Sequence, residues 1–233
     1  MIFIGGGSLL TQAVSHALKL GISVDAVCIP IGDSSIPRLK TFNVFLLEEN
    51  NLNIKLLSIL EKLEDGKVFS INNKLILEDS LLTSGPTFFN IHNGLIQNYR
   101  GVSEVCIFAA ICNGENNYGV TLHQILPSQK IDSGPVVAQL KFSIEGSNEF
   151  FSVMKKSLET CQKIFENNIE KIIENRHESV YVELLDNSYS YKDVPRICAN
   201  AESNNLIKAS NFGSYKTFFP KLAGLVSSSR DPK

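Results

Sequence analysis

The segment from Ile2 to Pro30 allows few architectures. Ile2 to Ile4 is a short apolar run, and Gly5-Gly6-Gly7-Ser8 is a turn. Leu9 to Leu20 places Leu10, Val14 and Leu18 at helical spacing, with Gly21 suited to a helix C-terminus. Ser23 to Ile29 reads as a second strand, stopped by Pro30. Strand, glycine turn, helix, strand is the opening of a doubly wound α/β sheet with a right-handed crossover. The turn is not a full dinucleotide fingerprint, because Leu10 stands where the third glycine would be. Two readings of it stay open. It is a tight strand-to-helix turn, or it offers the backbone of Gly7 and Ser8 to a substrate phosphate at the helix N-terminus.

The alternation continues. Phe42 to Leu47 is expected as a third strand, Asn51 to Leu63 as an amphipathic helix and Lys67 to Ile71 as a strand. Leu75-Ile76-Leu77 leads into a short helix over Glu78 to Thr83. Ser103 is placed to cap a helix running to Asn113, with Glu104 favourable in its first turn. Glu149 to Arg176 repeats apolar residues every three or four and reads as a core-covering helix. Val180 to Leu185 is expected as a strand, and Ala199 to Ser210 as one helix. The aromatic tail from Asn211 to Pro220 can pack on the domain, line a cleft or form a homodimer surface. Ser227 to Lys233 is polar and expected to fray. One main domain over 1–185 and an extension or linker over 186–233 suit the chain length of 233.

Composition excludes several classes. A net charge of −2 argues against a surface that tracks nucleic-acid phosphates. No apolar run is long enough to span a membrane, and the first residues lack the basic start of a signal peptide. Cys28, Cys106, Cys112, Cys161 and Cys198 are odd in number and lack Cys-x-x-Cys spacing. They fit reduced thiols in a cytoplasmic protein better than disulfides or a metal site, so no metal is expected.

The chemistry gathers between Phe88 and Gly146. Thr87 to Ile91 is a β-branched and aromatic run between Gly85-Pro86 and Asn93-Gly94. Strand parity puts Asn90 and His92 on one face and Phe89 and Ile91 on the other. Gly119 to Leu126 is a further strand, with Thr121, His123 and Ile125 on one face. Asp132 follows in a Ser/Gly/Pro-bounded loop before the strand Val136 to Phe142. An amide, an imidazole and a carboxylate in one cleft suit acyl transfer to an amine. The amide can donate to a developing oxyanion, the imidazole can donate and move a proton, and the carboxylate can orient it and take up the amine's proton. No serine or cysteine is evident as nucleophile, which favours direct transfer.

Phe89-Asn90-Ile91-His92, Tyr99-Arg100-Gly101, Gly119-Val120-Thr121-Leu122-His123 and Asp132-Ser133-Gly134-Pro135 together resemble the 10-formyltetrahydrofolate-dependent formyltransferases. That family includes glycinamide ribonucleotide transformylase, methionyl-tRNA formyltransferase and the sugar N-formyltransferases. The weaker likeness runs over about 1–185. The resemblance implies a Rossmann-like formyltransferase fold with a small C-terminal extension, and Asn90, His92 and Asp132 as catalytic residues. It implies a folate formyl donor near Leu75, Ile76, Leu77, Ile131 and Asp132. Gly7, Ser8, Arg100 and His123 are the candidates for contact with substrate. Arg100 either orients an acceptor or holds its loop, and His123 makes a structural hydrogen bond or supports the catalytic group. Gly94-Leu95-Ile96-Gln97 replaces the family's usual Ser-Leu-Leu-Pro, and Asn93 its usual proline.

The resemblance implies a small amine acceptor, since the tRNA-acting members carry a further RNA-binding domain. A nucleotide-linked amino sugar is the first expectation. An aminoacyl group on a peptidyl carrier protein, as in nonribosomal peptide initiation, is the alternative. Formyl-folate hydrolysis or a non-catalytic folate-binding role follow behind.

Overall fold

The computed structural model describes residues 1–39, 42–48, 52–61 and 63–230. In chain order the strands are β1 (Ile2–Gly5), β2 (Ala26–Pro30), β3 (Val44–Leu47), β4 (Lys67–Ile71), β5 (Thr87–His92), β6 (Asn117–Ile125) and β7 (Val136–Ser143). The α-helices are α1 (Gly7–Lys19), α2 (Leu52–Leu60), α3 (Asp79–Leu82), α4 (Ser103–Cys112), α5 (Phe150–Ile173), α6 (Val194–Asn200), α7 (Ser203–Ala209) and α8 (Pro220–Arg230). The strands form one sheet of order β3-β2-β1-β4-β5-β6-β7. The pairs from β3 through β5 are parallel and β5–β6 is antiparallel. This is the expected doubly wound, mostly parallel α/β sheet, with its switch of direction between β1 and β4.

Two compact units share the chain. The first holds 1–92, 121–138 and 161–182, and the second 93–120, 139–160 and 183–233.

In the first unit the sheet register explains which way the polar groups face. Phe3, Phe69 and Phe89 are partners across β1, β4 and β5. Their rings stack with centroids 6.0 Å and 5.3 Å apart. Phe165 of α5 meets Phe69 edge-on at 5.3 Å. Burying each such ring contributes about 1.5–3 kcal/mol. With odd-numbered residues of β5 held in this stack, pleat parity turns Asn90 and His92 to the other face. That face also carries Phe88 and Val68, packed with Leu56, Ile59 and Leu60 of α2 and with Leu81 of α3.

The second unit is built around α4. Every residue from Glu104 to Cys112 is buried, as expected of a helix covered on all sides. α6 and α7 pack on α4, and α8 packs on α6. Phe150 meets Phe212 at 4.7 Å and Phe219 at 6.1 Å, so the aromatic tail packs within this unit.

Several expected boundaries move. β2 begins at Ala26, not Ser23, and β3 at Val44. α1 starts inside the glycine turn at Gly7. Gly21 follows the helix end with φ +73°, a conformation suited to glycine. Ser103 is the first residue of α4 and not its cap; Val102 precedes the helix without a side-chain bond. The buried Glu104 accepts the Tyr191 hydroxyl at 2.5 Å. Val180 to Leu185 is not a strand. Val180 makes a single bridge to Val136, and Val180, Tyr181 and Leu185 are exposed, so β-branched propensity finds no neighbouring sheet surface to cover. Ala199 to Ser210 is broken by extended backbone at Ala201 into α6 and α7. Ser227 to Arg230 continues α8 and is not frayed, whereas 231–233 lie outside the described residues. Asn51 and Lys62 of the expected second helix also lie outside them.

Candidate active site

The first unit brings Asn90, His92, His123 and Asp132 together at the C-terminal end of β5. Open α/β sheets commonly bind ligands at that edge. Antiparallel register sets Asn90 directly opposite His123, and His92 opposite Thr121. The Asn90 amide Nδ2 lies 3.1 Å from His123 Nε2 and 3.3 Å from Asp132 Oδ1. His92 Nδ1 lies 3.3 Å from Asp132 Oδ2. His123 Nε2 is 3.6 Å from Asp132 Oδ1, an ion-pair distance and not a hydrogen bond.

The tautomer of His123 follows from its partners. Its Nδ1 is 2.9 Å from the Gln124 carbonyl oxygen, so Nδ1 carries the hydrogen and donates. In the neutral ring Nε2 is then an acceptor for the Asn90 amide. Both amide hydrogens of Asn90 therefore point inward, one to His123 and the other to Asp132. The longer bond to Asp132 is the easier one to exchange for another acceptor.

Asp132 is placed by its loop. It adopts φ +53°, which most side chains avoid and which aspartate and asparagine tolerate best. Gly134 is required by a close approach: a Cβ there would come 1.9 Å from the Gln124 carbonyl oxygen. The Gln124 N–H donates to Pro135 O at 2.9 Å, fixing the loop to β6 beside His123. The Ser128 N–H and hydroxyl each donate to the Asp79 carboxylate at 2.9 Å, tying the start of the loop to α3.

The other expected site residues are dispersed. Leu77 is buried in the core beside α2 and α3, Leu75 packs against that core, and Ile76 and Ile131 are exposed. The Asn73 side chain takes both the N–H and the C=O of Leu75 at 3.0 Å. Arg100 belongs to the second unit, where it is buried and donates Nη2 to Leu185 O at 2.8 Å; its Nε is buried with no partner. Gly7 and Ser8 open α1, and the Gly7 N–H donates to Asp33 Oδ1 at 3.1 Å. Asp33 and Gln124 were not legible as site residues: one sits in a loop rich in small residues, and the other acts through its backbone carbonyl.

Three of the cysteines are buried too deeply to act as acidic nucleophiles. Burial pushes the thiols of Cys28, Cys112 and Cys161 up to about 12. A cleft of about 640 Å³ in the second unit, lined by Asn113, Glu115, Asn148 and Asn205, contains none of the four clustered residues. Among the described residues no group of three or more His, Cys, Asp or Glu side chains is arranged to hold a metal, and no helix is long and apolar enough to cross a membrane.

The chain is similar to several known proteins. Residues 67–169 match the family model described as formyl transferase. The bifunctional polymyxin resistance protein ArnA of Wigglesworthia glossinidia brevipalpis is 30% identical over 207 residues, covering 83% of this chain and 31% of that relative. The chain thus spans about a third of the length of the curated relative. The fold resembles that of an N-formyltransferase from Helicobacter canadensis, solved with folinic acid and dTDP-3-aminofucose. The TM-score is 0.72 at 20% identity, covering 92% of this chain and 81% of that one. A 4-N formyltransferase from Francisella tularensis aligns with TM-score 0.71 at 19% identity, covering 90% and 87%. The matched segment, which contains Asn90, His92, His123 and Asp132, is a formyl transferase domain.

Proposed function

We propose that the chain is an N-formyltransferase that moves a formyl group from 10-formyltetrahydrofolate to a primary amine, with a nucleotide-linked amino sugar as acceptor. The observation that carries the reading is the single hydrogen-bonded cluster of Asn90, His92, His123 and Asp132. The amino-sugar acceptor draws its support from the dTDP-3-aminofucose named with the Helicobacter enzyme and from the 4-N specificity named for the Francisella one.

The neutral amine attacks the formyl carbon. A C–N bond forms, and the carbonyl oxygen takes on negative charge. The Asn90 amide and His92 face that charge as donors. The amine nitrogen must then lose a proton, and Asp132 is the carboxylate beside both groups. A protonated Asp132 accepts more weakly from Asn90, which releases that N–H for the oxyanion as it develops. Breaking the bond from carbon to the folate nitrogen regenerates the carbonyl, and the leaving nitrogen takes a proton, closing the balance. His123 holds Asn90 through its acceptor nitrogen. The formyl donor is a second substrate here, with the Ile76 and Leu77 peptide groups and the exposed Ile131 as its contacts.

The test is tetrahydrofolate release from 10-formyltetrahydrofolate with a panel of amines: nucleotide-linked 3-amino and 4-amino sugars, glycinamide ribonucleotide and an aminoacyl carrier protein. Release with an amino sugar, cut by about a hundredfold or more in Asn90→Ala, is expected. Release that needs no amine, or that survives intact in Asn90→Ala, would overturn the reading.

A further inference from the structure

The crevice beside the catalytic cluster's neighbouring strands is already filled by the protein. β1 and β4 flank the switch point of the sheet, where a doubly wound fold most often binds a ligand. The glycine turn between β1 and α1 lies there, and a helix N-terminus preceded by glycines is a ready anion site. Two side chains, Asp33 and Asn72, close it through three contacts. The Gly7 N–H donates to Asp33 Oδ1 at 3.1 Å. A Cβ built on Gly6 would come 2.2 Å from Asp33 Oδ2, so the carboxylate lies directly on the turn. On the β4 side, Asn72 holds φ +50° and donates Nδ2 to Gly6 O at 3.0 Å.

The carboxylate is itself held in place. Ser35, nearly fully buried, donates to Asp33 Oδ1 from its N–H at 2.8 Å and from its hydroxyl at 2.5 Å. Burial acts to raise the Asp33 pKa, but the bonds from Ser35 and Gly7, with Lys74 nearby, outweigh it and hold the carboxyl below its usual range. The group is an anion at neutral pH.

We propose that Asp33 is a specificity-determining residue: its carboxylate takes the anion position at the start of α1 and bars a phosphate monoester from the glycine turn. A phosphate there would need the space Asp33 fills and would meet a charge of the same sign. Resting on the formyltransferase reading, this narrows the acceptor to amines that bring no phosphate monoester to Gly6 and Gly7. The phosphates of a nucleotide-linked sugar then lie elsewhere. On this proposal the glycine turn at Gly7 is capped from within the chain by Asp33.

The test needs no turnover. Inorganic phosphate and ribose 5-phosphate are titrated calorimetrically, at low ionic strength and neutral pH, into the wild-type chain, Asp33→Ala and Asp33→Ser. The serine variant keeps a capping oxygen should the alanine variant fold poorly. Binding at least tenfold tighter in a variant than in the wild type, lost again when chloride is raised, is expected. Equal affinity in all three chains, with far-UV circular dichroism unchanged, would overturn the proposal. So would saturable binding of ribose 5-phosphate to the wild type that is lost in Asp33→Ala. Failure of the formyltransferase reading would appear separately, as wild-type protein that releases no tetrahydrofolate, and would leave the titration result standing.

Discussion

Asp132 combines two demands that a single residue type rarely meets. The proposed reaction needs a carboxylate between His92 and Asn90, and the loop holds the residue in a left-handed backbone at φ +53°. Asparagine meets the second demand and fails the first. Asp132→Asn is therefore expected to keep its fold and its donor affinity while turnover falls by about a hundredfold or more; steady-state kinetics beside donor titration checks this. Asp132→Val adds backbone strain of about 1–2 kcal/mol and is expected to lower the melting temperature as well. His123→Phe keeps the strand but removes the acceptor for the Asn90 amide. The expected result is a fall in kcat of roughly tenfold with the donor KM nearly unchanged; a fall confined to KM would place His123 against substrate instead. Asn90, His92 and Asp132 were legible because strand parity and a Ser/Gly/Pro-bounded loop leave little freedom in where they point. The pairing of Asn90 with His123 was not, since it depends on which residue stands opposite across an antiparallel register, and that register is set by the whole sheet. Asp33 was missed because its loop is rich in small residues and its partner Gly7 lies one crossover away.

At the level of elements, the loop from β6 to β7 is fixed at both ends, and each end predicts a measurement. Gly134→Ala would drive a Cβ into the Gln124 carbonyl. A destabilisation of about 1–3 kcal/mol is expected in denaturant melts, and with it displacement of Asp132. At the other end, the Asp79 carboxyl is held below its ordinary value by the Ser128 N–H and then by its hydroxyl. A depressed carboxylate contributes above its unfolded pKa of about 3.9 and loses that contribution as pH falls through the lower folded value. Exchange of the 126–132 amides, measured in pulses after brief acid exposure, should therefore rise below about pH 4 and show no such step in Asp79→Ala. The sequence marked most elements through periodicity and glycine punctuation. It misjudged Val180 to Leu185 because a β-branched run carries no information on whether a sheet edge is at hand. It joined α6 to α7 because Ala201 carries no breaker signal.

Across the whole molecule, the region expected as an extension, 186–233, supplies much of one core. Tyr189, Val194, Ile197, Cys198, Phe212, Leu222 and Val226 pack with Val105 to Cys112 of α4. Removing 186–233 is expected to uncover α4 and to give a chain that binds a hydrophobic dye and aggregates; a soluble, cooperatively melting 1–185 fragment would refute this. The interleaving of the two units along the chain also bears on synthesis. The amide, the imidazoles and the carboxylate of the cluster are all translated by Asp132, and the first unit closes once residue 182 is made. The cluster around α4 is complete only with Val226. A nascent chain thus carries an apolar helix without its full cover from Cys112 onward, while the ribosome adds the rest. Such exposure is where aggregation and chaperone capture concentrate, so folding yield in the cell should respond more to mutations in the last tenth of the sequence than to mutations around Asn90.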